Sequence, residues 1–337
     1  ATDTNPSGGV GTVWQNTTSG EMYICTDATT GQNTWKNIGA GSGNIVPFVF
    51  GGESYGFASG NHDNAGGNDT NRFSFASGSQ NGEHWGTLVG SVRYVKSGHS
   101  DKDNGYAFNC GGYGPPTNEI IRFSMLSSGT SNDVGDLTQT GDGYASMSNA
   151  THGWISGNGQ SDQTRVEKFA FVSSGNATDF SDLMQSVAAA IGTTNGTGTY
   201  GYSMGGREPG VYVDRIQKIN LTASATATDV ANLTQGRNAG GGTSSTTHGY
   251  VAGGYSGATS NVIDKMAFAT DADSTDVGDN TVSIHSRGGS SSTTYGYSLG
   301  GTGHLDVIER HSFSSDGNAT DVGNLSEWYE HPAGHHY

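Results

Sequence analysis

Short apolar runs that end in glycine recur along most of this chain. They read GYAFNCGG from 105, GWISGNG from 153, GYSMGG from 201, GYVAGG from 249 and GYSLGG from 296. Their first glycines lie 48, 48, 48 and 47 residues apart. After a loop of variable length comes a second run: IIRFSM at 120, VEKFAF at 166, RIQKIN at 215, VIDKMAF at 262 and VIERHSF at 307. An earlier copy, NRFSF, stands at 71. A third run carries acid: NDVGDL at 132, ATDFSDL at 177, ATDVANL at 227, STDVGD at 274 and ATDVGNL at 319. A Ser/Thr-rich run, such as GGGTSSTTH at 240 or GGSSSTTY at 288, precedes the next unit. The runs are short, alternate in polarity and are bounded by glycine, which predicts strands.

Four strands in a repeat of roughly 40–50 residues is the pattern of a β-propeller blade. Glycine pairs or their equivalents near 51, 111, 157, 205, 253 and 300 predict six blades over residues 46–337. VPFVFGG, ending at Gly52, reads as the first of these glycine-terminated strands. The next pair lies 60 residues on, so ESYGFASGNHDNAGGNDT (53–70) reads as an insertion of about a dozen residues in the first blade. That blade lacks a Ser/Thr-rich strand ahead of it, while SEWYEHPAGHHY (326–337) is left over at the C-terminus. Pairing this last strand into the first blade would cover the free edge. Trp328, Tyr329 and Tyr337 are the expected closure residues.

Two columns of charge run through the repeat. Arg72, Arg122, Lys168, Lys218, Lys265 and Arg310 occupy one place in the second run. Asp133, Asp179, Asp229, Asp276 and Asp321 occupy one place in the third, where the first unit offers Glu83 or His84. Cross-strand or between-blade ion pairs are the expected use, so both columns are read as architecture.

Residues 1–45 stand outside the repeat. TVWQN, EMYICTD and NTWKNIG predict three short strands joined by Ser-Gly and Thr-Gly turns.

The chain holds 56 glycines and has a formal net charge of −16. Such acidity, without a basic stripe, excludes nucleic acid as a partner. No run of eighteen apolar residues is present to enter a membrane as a helix. Cys25 and Cys110 lie far apart in unlike contexts and read as packed residues.

The glycine-terminated strand at this period resembles the kelch type of β-propeller over roughly residues 46–337. The spaced Tyr and Trp of that repeat are absent, so this is a divergent, kelch-like repeat. The resemblance implies the strand order within a blade: Ser/Thr-rich innermost, then the GY run, the basic run and the acidic run. The N-terminal motif GxVWxNTxxGExYxC followed by WxNIG resembles segments of bacteriophage tail-fibre and virion structural proteins. SSDGNATDVGNL and SSTTHGYVAGG resemble structural proteins of marine cyanophages. The implied protein is a non-enzymatic virion component of the tail fibre, tail tip or capsid surface. Residues 1–45 would dock to other virion proteins, and the propeller would adhere to a host surface or glycan. The oligomeric state stays open. The alternative is a secreted carbohydrate-binding or carbohydrate-active propeller.

The residues themselves offer little catalytic chemistry. No singular carboxylate pair stands out as a glycosidase would need. No Ser-His-Asp order or HExxH helix is present, and no cofactor is expected. Tyr55, Phe57, His62 and Asp63, on the first-blade insertion, are the candidate binding residues, because insertions on a regular scaffold often carry function. An exposed or subunit-contacting loop is the alternative. At the C-terminus, Glu330, His331, His335 and His336 invite a metal reading. Neighbouring strand residues point to opposite faces, however, so His335 and His336 cannot share a ligand.

Overall fold

The computed structural model describes residues 6–16, 20–29, 33–39, 51–60, 68–76, 80–90, 97–113, 115–159 and 163–336. The chain divides into two compact units, 1–49 and 50–337. Among the described residues every regular element is a strand.

The first unit is one antiparallel sheet of Val13–Gln15, Met22–Asp27 and Thr34–Asn37, in that order. These are the three strands expected from the sequence. Alternation sends Tyr23, Cys25 and Trp35 to a buried face, with Trp14 packed beside them. Val13 and Met22 stay exposed on the strands, as do Val10 and Ile38 beyond them.

The second unit is propeller-like, and its described residues form six sheets. The second sheet is Gly98–Asp101, Tyr106–Gly112, Thr117–Ser124 and Asn132–Asp136; the third is Ala145–Ser148, His152–Ser156, Arg165–Ala170 and Thr178–Asp182. The fourth is Ile191–Thr194, Tyr200–Glu208, Val211–Asn220 and Thr228–Asn232. Gly241–Ser244, His248–Tyr255, Thr259–Ala267 and Thr275–Asp279 form the fifth. Gly288–Ser291, Tyr295–Leu299, Val307–Ser312 and Thr320–Asn324 form the sixth. The first sheet is composite: Ala333–His336 pairs with Tyr55–Ser59, followed by Asp69–Ser74, Glu83–Thr87 and the short parallel Gly129–Thr130.

Two expectations need correcting. The glycine-terminated strand of the first sheet is Tyr55–Ser59, not VPFVFGG. Residues 46–50 lie outside the described residues. Gly52 instead bridges Ser292 of the sixth sheet, and Lys102 Nζ donates to the Gly51 carbonyl at 2.7 Å. YGFASG therefore matches YGYSLG, so Tyr55–Ser59 is a regular strand of the repeat and not part of an insertion. In the second sheet the register is also two residues off. Gly98 opposes Asn109 where Gly192 opposes Ser203, so Ala107-Phe108, not Gly105-Tyr106, matches Gly201-Tyr202.

The hydrophobic core lies between sheets. Six clusters each join two neighbours, including one formed by Ala58 and Phe73 of the first sheet with Tyr297, Leu299 and Ile308 of the sixth. The second strands supply one buried aromatic each: Phe57, Phe108, Trp154, Tyr202, Tyr250 and Tyr297. Several stack on a ring from the next sheet: Phe108 on Phe171, Tyr202 on Phe268, Tyr250 on Phe313, and Tyr297 on Phe75. Such offset pairs contribute about 1 kcal/mol beyond their buried area.

Polar groups bind the same junctions. The residue entering each outer strand donates its amide to the outer strand of the preceding sheet. The pairs are Ser131–Thr87, Ala177–Asp136, Ala227–Asp182, Ser274–Asn232, Ala319–Asp279 and Gly82–Asn324, at 2.7–2.9 Å. A buried acceptor on the third strand takes a second amide. Glu167, Gln217, Asp264, Glu309 and Asn71 accept from Thr138, Gln185, Thr234, Thr281 and Ser326. Asp264 and Glu309 are fully buried and ion-paired to the equally buried Arg237 and Arg287. Near the innermost strands, hydroxyls do the linking: the amides of Ser148, Thr194 and Ser244 donate to Thr194, Ser244 and Ser291, and His336 donates to Ser100. This is the physical use of the Ser/Thr-rich runs.

Removing one partner of a buried pair strands the other charge, at a cost of about 3–5 kcal/mol. Asp264→Ala should therefore lower the unfolding free energy by about that amount in urea titration, whereas the exposed Asp316→Ala should change it by less than about 1 kcal/mol.

Candidate functional site

Glycines on the innermost strands decide how those strands meet. A Cβ on Gly192, Gly242, Gly289, Gly334 or Gly98 would strike the backbone of the neighbouring innermost strand. These glycines and Ser146 line a narrow cavity of about 40 Å³. It admits a few waters and is far below the size of a sugar-binding pocket. Arg287 reaches its wall from the fifth-to-sixth junction.

The C-terminal histidines border this region but do not converge. His331 has φ 61° at the turn position held by Ala189, Ala239 and Ser286 in other units. His335 is fully buried: its Nδ1 lies 3.1 Å from the His99 carbonyl and its Nε2 lies 2.7 Å from Ser59 Oγ. Nδ1 therefore carries the proton and Ser59 donates to Nε2. Ser59 Oγ also lies 3.0 Å from Asn109 Oδ1 of the second sheet. One histidine thus joins the last strand to the first and second sheets.

Of the four candidate binding residues, two are described. Phe57 is a fully buried member of the aromatic column, and Tyr55 is half-buried beneath Arg72. Both are scaffold residues of a strand rather than a loop, which corrects the sequence reading. His62 and Asp63 lie outside the described residues. Of the closure residues, Tyr329 is fully buried against the first sheet's Phe73 cluster. Trp328 packs edge-on against His304 with ring centres 4.1 Å apart, and Tyr337 lies outside the described residues.

Among the described residues, the two charge columns pair with each other only in the first sheet. Basic residues instead cap aromatic rings: Arg72 over Tyr55 and Trp85, Arg122 over Tyr106, Lys168 over Trp154, Lys218 over Tyr200 and Arg310 over Tyr295. Lys218 and Lys265 also reach Asp271 and Asp316 on the next sheet's loops, each at 2.7 Å. Asp133, Asp276 and Asp321 accept the amide two residues on, fixing the strand bulge there. Asp179 and Asp229 face Arg165 and Arg215 instead. His84 takes this acid's place in the first sheet, and Glu83 pairs with Arg72.

The sequence reading missed the buried acceptors Glu167, Gln217, Asp264 and Glu309. Their signal was present, because a polar residue precedes the basic one in VEK, IQK, IDK and IER. It also missed a line of half-exposed rings at one end of the fourth to sixth sheets. Tyr212 meets Tyr255 at 5.6 Å, and Tyr255 meets His285 at 5.1 Å.

The described arrangement defines an all-β, propeller-like protein. A scan against protein-family models finds no match, and a search of curated proteins finds no similar sequence.

Burial holds three histidines neutral. Desolvation lowers His99 to about 3 and His311 and His335 to about 4. Their folded pKa values lie below the unfolded value near 6.5, so their stability contribution is complete above that pH. It is lost as pH falls from about 6.5 towards 4, each histidine adding a slope of about 1.4 kcal/mol per pH unit. His311 stands where other sheets have Phe73, Phe123 and Phe169. His311→Phe should flatten the decline in melting temperature between pH 6.5 and 4.5 relative to the wild type. Parallel melting curves would contradict this assignment.

Proposed function

We propose that this chain is a bacteriophage virion structural protein, a tail-fibre, tail-tip or capsid-surface component. Its second unit is a six-bladed, kelch-like propeller in which Ala333–His336 completes the first blade and closes the ring. Residues 1–45 dock to other virion proteins, and the propeller is displayed for adhesion to a host surface or glycan. The observation that carries this reading is the division of labour along the chain. A small separate sheet exposes Val10, Val13, Met22 and Ile38, while the second unit is built from near-identical sheets locked to one another. Exposed apolar residues on a small sheet suit docking to another subunit, and the N-terminal motif points to virion proteins. The reading assigns no catalysis and needs no cofactor.

The second reading, a secreted carbohydrate-binding or carbohydrate-active propeller, is favoured by the Tyr212–Tyr255–His285 line. Half-exposed rings of this kind offer flat apolar faces beside polar edges, which sugars use.

Mass spectrometry of purified phage particles tests the first reading: the chain should be present in stoichiometric amount, and its absence would remove that reading. A glycan array on the isolated protein tests the second, with Tyr255→Ala expected to abolish any signal. Closure has its own test. Deletion of 326–337 should lower the melting temperature sharply, and an unchanged melt would defeat the closed-ring model.

A further inference from the structure

The residue after each glycine pair forms a column of its own: Tyr113, Arg207, Tyr255 and Thr302. Backbone contacts hold three of these at one level. Arg207 bridges Ala188, Tyr255 bridges Asn238, and the Thr302 amide donates to the His285 carbonyl at 3.0 Å. Across its hairpin Arg207 directly opposes Tyr212, so the two side chains leave the same face of the fourth sheet. Tyr212 meets Tyr255 of the fifth sheet at 5.6 Å, which makes this the face turned to that sheet. Tyr255 in turn meets His285 at 5.1 Å. The His285 ring is fixed, with Nδ1 2.9 Å from Ser286 Oγ and 3.1 Å from Thr302 Oγ1. The three rings are half-exposed and Arg207 is exposed beside them.

Charge supplies a separate observation. Arg72, Arg165, Arg215, Arg237 and Arg287 meet an acid, and Arg122 and Arg310 cap a tyrosine. Among the described arginines Arg207 alone does neither. Its neighbour Glu208 points to the opposite face of the strand and is committed to Arg215 at 2.6 Å. In a chain of net charge −16, an exposed guanidinium left without an acid, beside a line of half-exposed rings, is complementary to an anionic ligand with an apolar face.

We propose that Arg207, Tyr212, Tyr255 and His285 form a site for an acidic sugar, a uronic or sialic acid. The inference rests on the carbohydrate-binding reading and narrows it. Sugar rings pack their C–H faces on Tyr212 and Tyr255, and the Arg207 fork donates two parallel N–H bonds to the sugar carboxylate. His285 bounds the far end of the line. A polyanion such as nucleic acid does not fit, because one guanidinium cannot offset many phosphates on so acidic a chain.

The test is calorimetric titration of the full chain with a hexuronic-acid and a sialic-acid oligosaccharide, each beside its carboxyl-reduced, neutral counterpart. Arg207→Gln and Tyr255→Ala are run in parallel. Arg207 is exposed, and Tyr255 makes its bonds to Asn238 through its backbone, so both variants should fold. In at least one pair the wild type should bind the acidic sugar about tenfold or more tightly than the neutral one. Arg207→Gln should erase that preference and leave neutral binding unchanged, whereas Tyr255→Ala should abolish both. Equal binding of acidic and neutral sugars, or a preference that survives Arg207→Gln, overturns the acidic-sugar site while the carbohydrate reading stands. Binding of none of the four sugars overturns the site and that reading together.

Discussion

The rest of the second unit depends on the hydrogen bond that one sheet makes to the next at its outer edge. A single four-stranded sheet buries too little to stand alone. Each sheet here lends its neighbour a backbone amide at the entry to the outer strand, and all but the second, which has Ile121 there, add a buried acceptor on the third strand. Between those two bonds the aromatic column can pack without water. The acceptors explain why carboxylates sit in an apolar junction at all. Glu167 holds both the amide and the hydroxyl of Thr138 at 2.7 Å, and Asp264 does the same for Thr234. An acid of this kind is costly to bury alone but satisfied by two donors and, in two junctions, by arginine.

Glycine governs the opposite margin. Gly111, Gly205 and Gly253, at register shifts within the second strands, and Gly300, just after one, have φ between 54° and 69°, against the carbonyls of Gly141, Arg237, Ile284 and Tyr329. No side chain fits there. Toward the centre, a second glycine column lets the innermost strands approach backbone to backbone. The repeat therefore conserves small residues where sheets converge and large aromatic ones where they diverge.

Most of this was legible from spacing, because period, glycine and alternation are local signals. The three N-terminal strands followed directly, whereas the order of the four strands per sheet came from the kelch resemblance. The misread elements were those where a local pattern has two matches. VPFVFGG and YGFASG both resemble a glycine-ended strand, and only pairing with Ala333–His336 selects the second. GYAFNCGG is two residues longer than GYSMGG, so its register is set by Gly98 against Asn109, which lie on different runs. Tyr55 and Phe57 were misplaced on a loop for the same reason: once Tyr55–Ser59 is a strand, Phe57 belongs to the core. Charge columns were visible, but their partners were not, since cation–ring contacts depend on which residues lie side by side across strands.

The proposed ring stands or falls on whether its last junction is as firm as the others. Native-state hydrogen exchange reads this directly at the six amides that bridge outer strands, those of Gly82, Ser131, Ala177, Ala227, Ser274 and Ala319. In a closed ring all six should open only with global unfolding, so their exchange free energies should agree. Fast exchange at Gly82, with the other five protected, would show that the first and sixth sheets part freely and would contradict the account.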